Sequence, residues 1–504
     1  MAETKREIER KYDAPAEPFG LPDLHKVPGV SDVAGQGVVE LDAVYYDTAD
    51  QRLAAHHITL RRRTGGYDAG WHLKLPVAVG DGVRDEVHEP LSDEVPPTLA
   101  ALVRSRVRDA PLVPVVRLRS SRAVSHLTDA GGALLAEVCV DAVRAERVGG
   151  EQRAAWTEIE VELADDGDPA FLAKVDKRLR KAGIERAAAT SKLARALDET
   201  GARVPAAPGA AEPVTAGDHV LARLREQRDA LVALDPAVRR DLPDAVHKMR
   251  VATRRLRSAF KTYKKVLDPA VTGPLGEELK WLAGELGVDR DREVLTERLT
   301  ERIDALPRTL LLGPVRGRLQ IWAVARRIGA RQHVDAVLDS RRYLALLEAL
   351  DALIAQPPLR PGAHRPGAAV LAKTACKDHA RLAARIERAL AMAPGTERDH
   401  ALHDARKAAK RARYAGETAV PALGKKAKKF TKRVKKVQSL LGDHQDSVVA
   451  REALRELAVQ AHAAGETAFA WGLLYGQEQA AGARDERELP GVWQRAAKPR
   501  LPAG

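Results

Sequence analysis

Short segments in which charged and apolar side chains alternate fill most of the first 200 residues. Residues 157–163, TEIEVEL, place three glutamates on one face and three aliphatic side chains on the other, which is the two-residue period of a β-strand. Residues 7–11 alternate in the same way, with Glu7, Glu9 and Lys11 on one face. The pattern predicts further strands at residues 39–47, 58–63, 71–75, 83–87, 115–119 and 136–140.

Each predicted strand has one apolar face and one ionised face. A sheet that covers its apolar face on the outside and closes around its charged face is a barrel with a hydrophilic bore. Carboxylates from the first and last strands would meet there as ligands suited to Mg²⁺ or Mn²⁺, beside arginines and lysines able to neutralise a polyphosphate. The alternative is an antiparallel sheet with one solvated face, on which the mixed charges only pair with one another.

The pattern changes to a helical period in the second half of the chain, and part of it occurs twice. The motif H-x-x-R-x-x-x-[RK]-R-x-R begins at His247 and again at His403. Downstream, residues 286–291 match residues 441–446. The two matches are 156 and 155 residues apart, and this near-constant offset predicts the duplication of a multi-helix unit.

On a helix, each copy of the motif places basic side chains on one stripe and apolar side chains on the opposite face. The first stripe contains His247, Arg250, Arg254, Arg257 and Lys261, and the second contains His403, Arg406, Lys410 and Arg413. Like charges at this spacing destabilise an isolated helix, so the duplicated stripes predict a surface that binds an anion. A solvated basic face is the alternative for either helix taken alone.

Composition divides the chain at the same place. A chain of 504 residues is too long for one core. Residues 1–200 contain 28 Lys and Arg against 34 Asp and Glu, whereas the rest contains 55 against 36, which favours cations in the first part and a polyanion in the second. We predict domains at residues 1–200 and 218–490, a Pro/Ala/Gly-rich linker at 201–217 and a tail at 491–504; the halves of the second domain are 218–355 and 368–490.

Several classes of protein are disfavoured by the composition. Two distant cysteines, a polar N-terminus and the lack of a long apolar run predict a cytoplasmic protein without disulfides or a membrane segment. Aromatic residues make up only 4% of the chain and do not interleave with the basic stripes, so stacking on nucleic-acid bases is not expected. RNA held through its phosphates alone remains the competing polyanion.

The N-terminal motifs, taken in order, resemble the CYTH domain of the triphosphate tunnel metalloenzymes. These motifs are E-x-E-x-K at residues 7–11, YYDT at 45–48, LRRR at 60–63, LK at 73–74, R-x-E at 84–86, the segment 137–141, E-x-E-x-E at 158–162 and SK at 191–192. The resemblance implies an eight-stranded antiparallel tunnel with flanking helices. It also implies hydrolysis or cyclisation of a triphosphate with a divalent metal, Mg²⁺ or Mn²⁺.

The same resemblance assigns roles to individual residues. It implies that the metal ligands are Glu7, Glu9, Glu158 and Glu160, with Glu86 and Asp141 as further candidates. It implies that the triphosphate contacts are Lys11, Arg61, Arg63, Lys74, Arg84, Arg117, Arg119 and Lys192, with Arg122 able to replace one of the last two arginines if the register differs. Glu7, Glu9 and Lys11 are the predicted catalytic residues.

Residues 218–488 resemble the CHAD domain, the conserved-histidine α-helical domain that often follows a CYTH domain. The resemblance implies two pseudo-symmetric four-helix bundles that bind inorganic polyphosphate through both stripes, with His247 and His403 as phosphate contacts. The overall prediction is an α+β multidomain protein that hydrolyses inorganic triphosphate and binds polyphosphate, with localisation at cytoplasmic polyphosphate granules as one option. The alternatives are a non-catalytic polyphosphate-binding protein, an adenylate cyclase and a thiamine triphosphatase; the oligomeric state is left open.

Overall fold

The structure, a computed structural model, describes residues 3–14, 20–77, 82–201, 212–327, 330–499 and 501, apart from the side chains of 3, 288–292 and 325–330. The chain divides into two compact units, Met1–Gly209 and Ala210–Gly504. Most of the predicted linker, residues 202–211, lies outside the described residues, as do tail residues 500 and 502–504 and the side chains of the repeat at 288–291.

The first unit contains eight antiparallel strands that close into a barrel. The strands are β1 (Glu3–Asp13), β2 (Asp32–Asp47), β3 (Thr59–Thr64), β4 (Gly70–Pro76), β5 (Val83–Glu89), β6 (Val113–Thr128), β7 (Leu134–Arg147) and β8 (Arg153–Leu163). Their order around the barrel is β1-β5-β4-β3-β2-β6-β7-β8, so β1 pairs with β8 and closes the sheet. The predicted eight-stranded barrel is confirmed.

Helices cover the apolar outer face of the barrel. Helix α2 (Ala170–Lys181) packs its buried side against Ile159 and Val161 of β8. Helix α1 (Pro97–Val107) covers the outer face of β3 and β4, where Leu73 is fully buried. Because neighbouring residues in a strand point to opposite faces, this burial of aliphatic side chains outside directs the alternating charged side chains into the bore.

Helix α3 (Lys192–Glu199) closes one end of that bore. Its Leu193 and Leu197 pack in one core with Leu118 of β6 and Trp156 of β8. Those two side chains alternate in step with the charged residues of the bore, so the inner face of the barrel becomes apolar where α3 enters. The bore therefore has a charged segment and an apolar plug.

The second unit is helical, as predicted. Its helices are α4 (Ala216–Arg239), α5 (Ala245–Thr262), α6 (Pro269–Glu285), α7 (Gly287–Asp304), α8 (Val315–Arg327), α9 (Ala330–Asp339), α10 (Arg341–Ala355), α11 (Gly367–Ala391), α12 (Thr396–Leu423), α13 (Lys425–Ala463) and α14 (Phe469–Ala496). The sequence repeat aligns α5 with α12, and it aligns α6 and α7 together with the 39-residue α13. The two halves thus share a helix order, with α6 and α7 separated only at Leu286.

Three apolar cores hold this unit together. One lies among α4, α5, α6 and α10, a second among α11, α12 and the first half of α13, and a third joins α7 and α8 to the second half of α13 and the start of α14. Met249, Leu256 and Phe260 are buried in the first core, which confirms the predicted apolar face of α5. None of the described helices combines the length and the apolarity that a membrane crossing requires.

Candidate functional site

The register of β1, β7 and β8 brings carboxylates together inside the barrel. Lys11 pairs with Glu160 across β1 and β8, and Asp141 pairs with Glu158 across β7 and β8. Residues directly opposite one another on paired strands share a face of the sheet. All three carboxylates are at least nine-tenths buried, so the strand pairing creates an acidic group that is shielded from solvent.

Cations lie in direct contact with this acidic group. Oxygen atoms of Asp141, Glu158 and Glu160 all lie within 4.8 Å of one another. The ammonium of Lys192 is 2.9, 2.8 and 2.5 Å from these three carboxylates, respectively. Arg122 donates two hydrogen bonds of 2.7 and 2.8 Å to Asp141 and one of 2.7 Å to Glu160.

These contacts keep Asp141 and Glu160 ionised. Burial opposes ionisation of Asp141, but Lys192 and Arg122 outweigh it and hold the pKa of this carboxyl below its usual value. Burial also opposes ionisation of Glu160, whose pKa is nevertheless held well below its usual range by Lys11, Lys192 and Arg122. Three converging carboxylates with a cation already among them have the oxygen ligands and the charge that a hard divalent metal ion requires.

A second acidic group lies on the other side of the bore, on β1, β4 and β5. Lys74 donates a 2.5 Å hydrogen bond to Glu7, and His72 Nδ1 lies 2.9 Å from Glu86. Burial, reinforced by the neighbouring Glu86, raises the pKa of Glu7 to about 8 despite the contact with Lys74. Burial also opposes ionisation of Glu86, but Lys74 and His72 outweigh it and its pKa is far below the usual range.

The predicted ligands therefore form two groups instead of one. Glu9 lies between them: burial opposes its ionisation, but cations from both groups, Lys11 and Lys74 above all, lower its pKa. Asp141, which the sequence indicated only as a further candidate, belongs to the closest acidic group, whereas Glu7 does not. Sequence alternation could not show this, because the groups are formed by neighbours on different strands.

Most of the predicted cations face the bore. Lys11, Arg61, Arg63, Lys74, Arg84 and Lys192 all have side chains on the inner face. Arg63 is 4% exposed, and Arg61 lies 3.3 Å from the hydroxyl of Tyr45. Arg84 donates a 2.6 Å hydrogen bond to the carbonyl oxygen of Thr190 and so holds the segment that leads into α3. Their positions suit phosphate contacts, a role that stays a prediction.

Arg117 and Arg119 lie on the outer face, so the prediction that they line the bore is wrong. Arg117 contacts Asp42 at 2.5 Å, and Arg119 lies 3.6 Å from Glu146 with a side chain that is 55% exposed. Arg122 is an odd number of residues away from both, so on the same strand it points the opposite way, into the bore. Arg122 therefore supplies the positive charge in the bore that was expected from Arg117 and Arg119.

In the helical unit, the two basic stripes face each other. Lys410 of α12 is half-buried near Arg406 and Arg413 of its own helix and near Arg254 of α5. Burial, followed by the charges of Arg406 and Arg254, lowers the pKa of Lys410 to about 7, although Asp446 opposes the shift. The charges of both stripes therefore act on one another. We call the surface formed by the two stripes the paired stripes.

A glycine supports the stripe in each copy of the repeat. A Cβ on Gly287 would lie 2.9 Å from Nη2 of Arg250, and a Cβ on Gly442 would lie 3.3 Å from Nη2 of Arg406. The two glycines occupy the same position of the repeat. Their lack of a side chain lets each guanidinium lie against the backbone at this position, which explains why both copies of the repeat have a glycine there.

The remaining stripe residues differ in their surroundings. His403 is half-buried with Nδ1 2.5 Å from Oε1 of Gln445, while His247 is exposed. Burial and the neighbouring Arg257 lower the pKa of Lys261. Arg413 lies 3.3 Å from Glu417, so its charge is already partly neutralised.

A separate cluster of Asp399, His444 and Glu486 joins α12, α13 and α14. Carboxylate oxygens of Asp399 and Glu486 lie 3.4 and 3.3 Å, respectively, from Nε2 of the buried His444. Each carboxylate also contacts an arginine at 3.0 Å, Arg451 and Arg398, respectively. The charges of this cluster are thus balanced within the protein, and it serves as a polar link between three helices.

The barrel with its charged bore and the duplicated basic helices define two known kinds of domain. Residues 5–197 match the CYTH domain, and residues 222–455 match the CHAD domain. The chain belongs to the family of proteins in which a CYTH domain is followed by a CHAD domain.

The chain is also similar to several known proteins. The uncharacterized protein Rv2226 of Mycobacterium tuberculosis is 40% identical over 491 residues, which cover 94% of this chain and 92% of that protein. The CHAD domain of the plant Ricinus communis is 29% identical, with a TM-score of 0.46, and the match covers 58% of this chain and 94% of that one. The Hippeastrum protein HpAC1, described as revealing a dominant triphosphatase activity, is 21% identical with a TM-score of 0.26, covering 40% and 98%.

Proposed function

We propose that the barrel hydrolyses inorganic triphosphate with a divalent metal ion, Mg²⁺ or Mn²⁺, and that the helical unit binds inorganic polyphosphate. The CYTH family comprises triphosphate tunnel metalloenzymes. The observation that carries the first part is the composition of the bore. Three converging carboxylates and a set of buried lysines and arginines share one closed barrel, which matches the two charges of a metal–triphosphate complex.

The acidic group of Asp141, Glu158 and Glu160 would hold the metal ion. When bound, the ion supplies Lewis-acid polarisation of phosphoryl oxygens and lowers the pKa of a water molecule. The bore's own cations neutralise and orient the triphosphate, and their burial strengthens each contact because solvent screening is reduced. Lys192 balances these carboxylates in the structure, and with a metal ion held there its ammonium would be available to a phosphate oxygen.

The apolar plug supports an inorganic substrate over a nucleotide. Tyr45 and Trp156 are aromatic side chains on the inner face, and both are more than 90% buried in the core that α3 forms with the barrel. Neither presents an open ring on which a base could stack. The charged segment of the bore offers contacts to phosphates, so we expect tripolyphosphate to be hydrolysed faster than ATP.

A substrate panel with a matched pair of variants tests this function. Glu160→Gln should abolish metal-dependent release of phosphate from tripolyphosphate, because it removes one charge from the closest acidic group. Glu146→Gln, on the outer face of β7, is the control and should keep nearly full activity. Melting temperatures of both variants would verify folding. Normal turnover by the Glu160 variant would contradict the metal assignment, and conversion of ATP to cyclic AMP without tripolyphosphate hydrolysis would favour a cyclase.

The paired stripes support the second part of the proposal. Cations from α5 and α12 lie close enough to lower the pKa of Lys410, and an added polyanion would relieve this repulsion. In the full-length protein, Arg250→Ala with Arg406→Ala should weaken polyphosphate binding more than Lys248→Ala with Lys407→Ala, which lie off the stripes and are exposed. Equal losses in a titration would reduce the stripes to a general charge effect, and tighter binding of single-stranded RNA would favour nucleic acid.

A further inference from the structure

The first half of α13 carries an uninterrupted basic surface. Residues 425–442 contain eight lysines and arginines and no acidic residue. Seven of the eight side chains are exposed and Arg433 is half-buried. Among the described residues, no carboxylate lies within ion-pairing distance of any of the eight. This is unlike the bore, where each cation that contacts the closest acidic group is balanced by it.

Part of this surface borders a groove between α13 and the end of α14. The groove has a volume of about 710 Å³. Its cationic lining consists of Lys429, Lys432, Arg433, Lys436, Arg495 and Lys498. Val492 and Ala496 contribute an apolar floor, and no aromatic side chain is among the described residues of the lining. We name it the α13–α14 groove.

The fold does not require these cations, as the other copy of the repeat shows. At an offset of 155 residues, three buried positions carry aliphatic side chains in both copies, namely Leu279 and Val434, Leu282 and Val437, and Leu286 and Leu441. The outward positions differ in charge, since Glu277 and Glu278 of α6 correspond to Lys432 and Arg433 of α13. The same core packing therefore tolerates acids at these places, and the basic surface needs another explanation.

The groove is also distinct from the paired stripes. The charged groups that shift the pKa of Lys410 most are Arg406, Arg254, Asp446 and Arg413. None of them comes from residues 425–436. Within the stripes, α12 directs its basic residues towards α5, whereas the groove is lined by α13 and the end of α14.

We propose that the α13–α14 groove is a second binding site for inorganic polyphosphate. Lys429, Lys432 and Lys436 follow one side of the helix over about 10 Å of its axis. Lysine ammonium groups are mobile point charges, which suits a flexible chain of phosphates better than a ligand of fixed geometry. The part of the lining that the structure describes has no aromatic ring, which disfavours nucleic acid because its bases would have no stacking surface there.

This site goes beyond the proposed function and can be separated from it. A long polyphosphate chain could contact the groove and the paired stripes together, and the second contact would then be intramolecular. Long chains should accordingly bind more tightly than chains that reach only one site. The groove itself does not depend on the stripes, because it shares no residue with them.

The test compares two triple variants of the full-length protein in titrations with long-chain polyphosphate. Lys429→Ala, Lys432→Ala and Lys436→Ala remove the groove lysines. Lys174→Ala, Lys177→Ala and Lys181→Ala remove three exposed lysines with the same spacing from α2 and so match the change in charge. The groove variant should lose at least about tenfold in affinity, and the dependence of log affinity on log salt should become shallower by about 2, since each lost contact changes the slope by about 0.7.

Each possible result bears on the groove separately from the stripes. A loss in the groove variant together with near-normal binding by the control supports the proposal, even if the Arg250 and Arg406 variants bind normally and the stripes fail. Equal losses in both triple variants would overturn it. A groove variant that binds polyphosphate normally but loses binding to single-stranded RNA or to vesicles with anionic lipids would overturn it too. Unchanged melting temperatures verify that affinity, and not folding, has changed.

Discussion

Arg122 and Arg119 provide the sharpest test of how the barrel is arranged. They lie three residues apart on β6, yet one side chain points into the bore and the other points out. Arg122 makes three hydrogen bonds of 2.7–2.8 Å to the closest acidic group and is 19% exposed. Arg119 is 55% exposed and its carboxylate partners lie 3.6 Å away. Replacing each by alanine removes the same chemical group from two environments.

The expected magnitudes differ by more than tenfold. A charge about 4 Å from a phosphate in a partly screened site interacts with it by about 4 kcal/mol. Lys192 remains on Asp141 and Glu160 after Arg122 is removed, so these acids keep a partner and part of the loss is offset. We therefore expect Arg122→Ala to cost about 2.7 kcal/mol in kcat/KM, or roughly 100-fold. An exposed pair such as that of Arg119 contributes about 0–1 kcal/mol to stability, and activity should change less than about twofold.

The assay measures phosphate release from tripolyphosphate with saturating Mg²⁺ or Mn²⁺, together with the rise in melting temperature that tripolyphosphate causes without turnover. Arg122→Lys keeps the charge and should recover part of the lost activity. If Arg119→Ala were as damaging as Arg122→Ala, the inner and outer faces of β6 would be assigned incorrectly. If Arg122→Ala lowered the melting temperature but bound and hydrolysed the substrate normally, the residue would have only a structural role.

Two further predictions concern the helical unit. Because the folded pKa of Lys410 is about 7 and that of free lysine is 10.5, the unfolded chain binds more protons between these values, and the stability of the fold should rise with pH across that window. An anion that restores the positive charge of Lys410 should bind less tightly as pH rises above about 7. Calorimetry in buffers of different ionisation enthalpy should detect proton uptake on anion binding, and Lys410→Gln should lose this uptake. No proton uptake in the parent protein would contradict the prediction. Gly284→Ala, where a Cβ meets nothing within 4 Å, should stabilise α6 by about 1 kcal/mol without changing polyphosphate affinity, whereas Gly287→Ala should displace Arg250 and weaken binding. Thermal melts and titrations distinguish the two glycine variants, and identical behaviour would contradict the supporting role of Gly287.

Sequence periodicity predicted which side chains alternate but not which face of a long strand turns inward. β6 spans 16 residues, and arginines occur on both of its faces. The pair at 117 and 119 and the single arginine at 122 are equally compatible with a period of two. The pairing of Arg122 on β6 with Asp141 on β7 shows which arginine faces the bore. That pairing depends on a register between strands that local sequence does not encode.

The prediction of the acidic residues in the bore had the same limit. The sequence identified the glutamates of β1 and β8 as possible partners, because these strands close the barrel. It could not place Asp141 in the closest group, since that position depends on β7 lying beside β8 and on the depth at which the carboxylate is buried. Nor could it predict the apolar plug, because Leu193 and Leu197 read only as one side of a short helix.

The internal repeat separates what the helical fold needs from what a ligand needs. Both copies keep the aliphatic positions that fill the cores, and both keep a glycine beneath the first arginine of the stripe. A feature present in both copies but irrelevant to core packing, such as the pair of Arg250 and Gly287, is best explained by a shared task of the two stripes. The groove lysines Lys429, Lys432 and Lys436 occur in one copy alone, so whatever they bind must contact the two halves unequally. A polyphosphate chain that extends beyond the paired stripes towards one end only would satisfy both conditions.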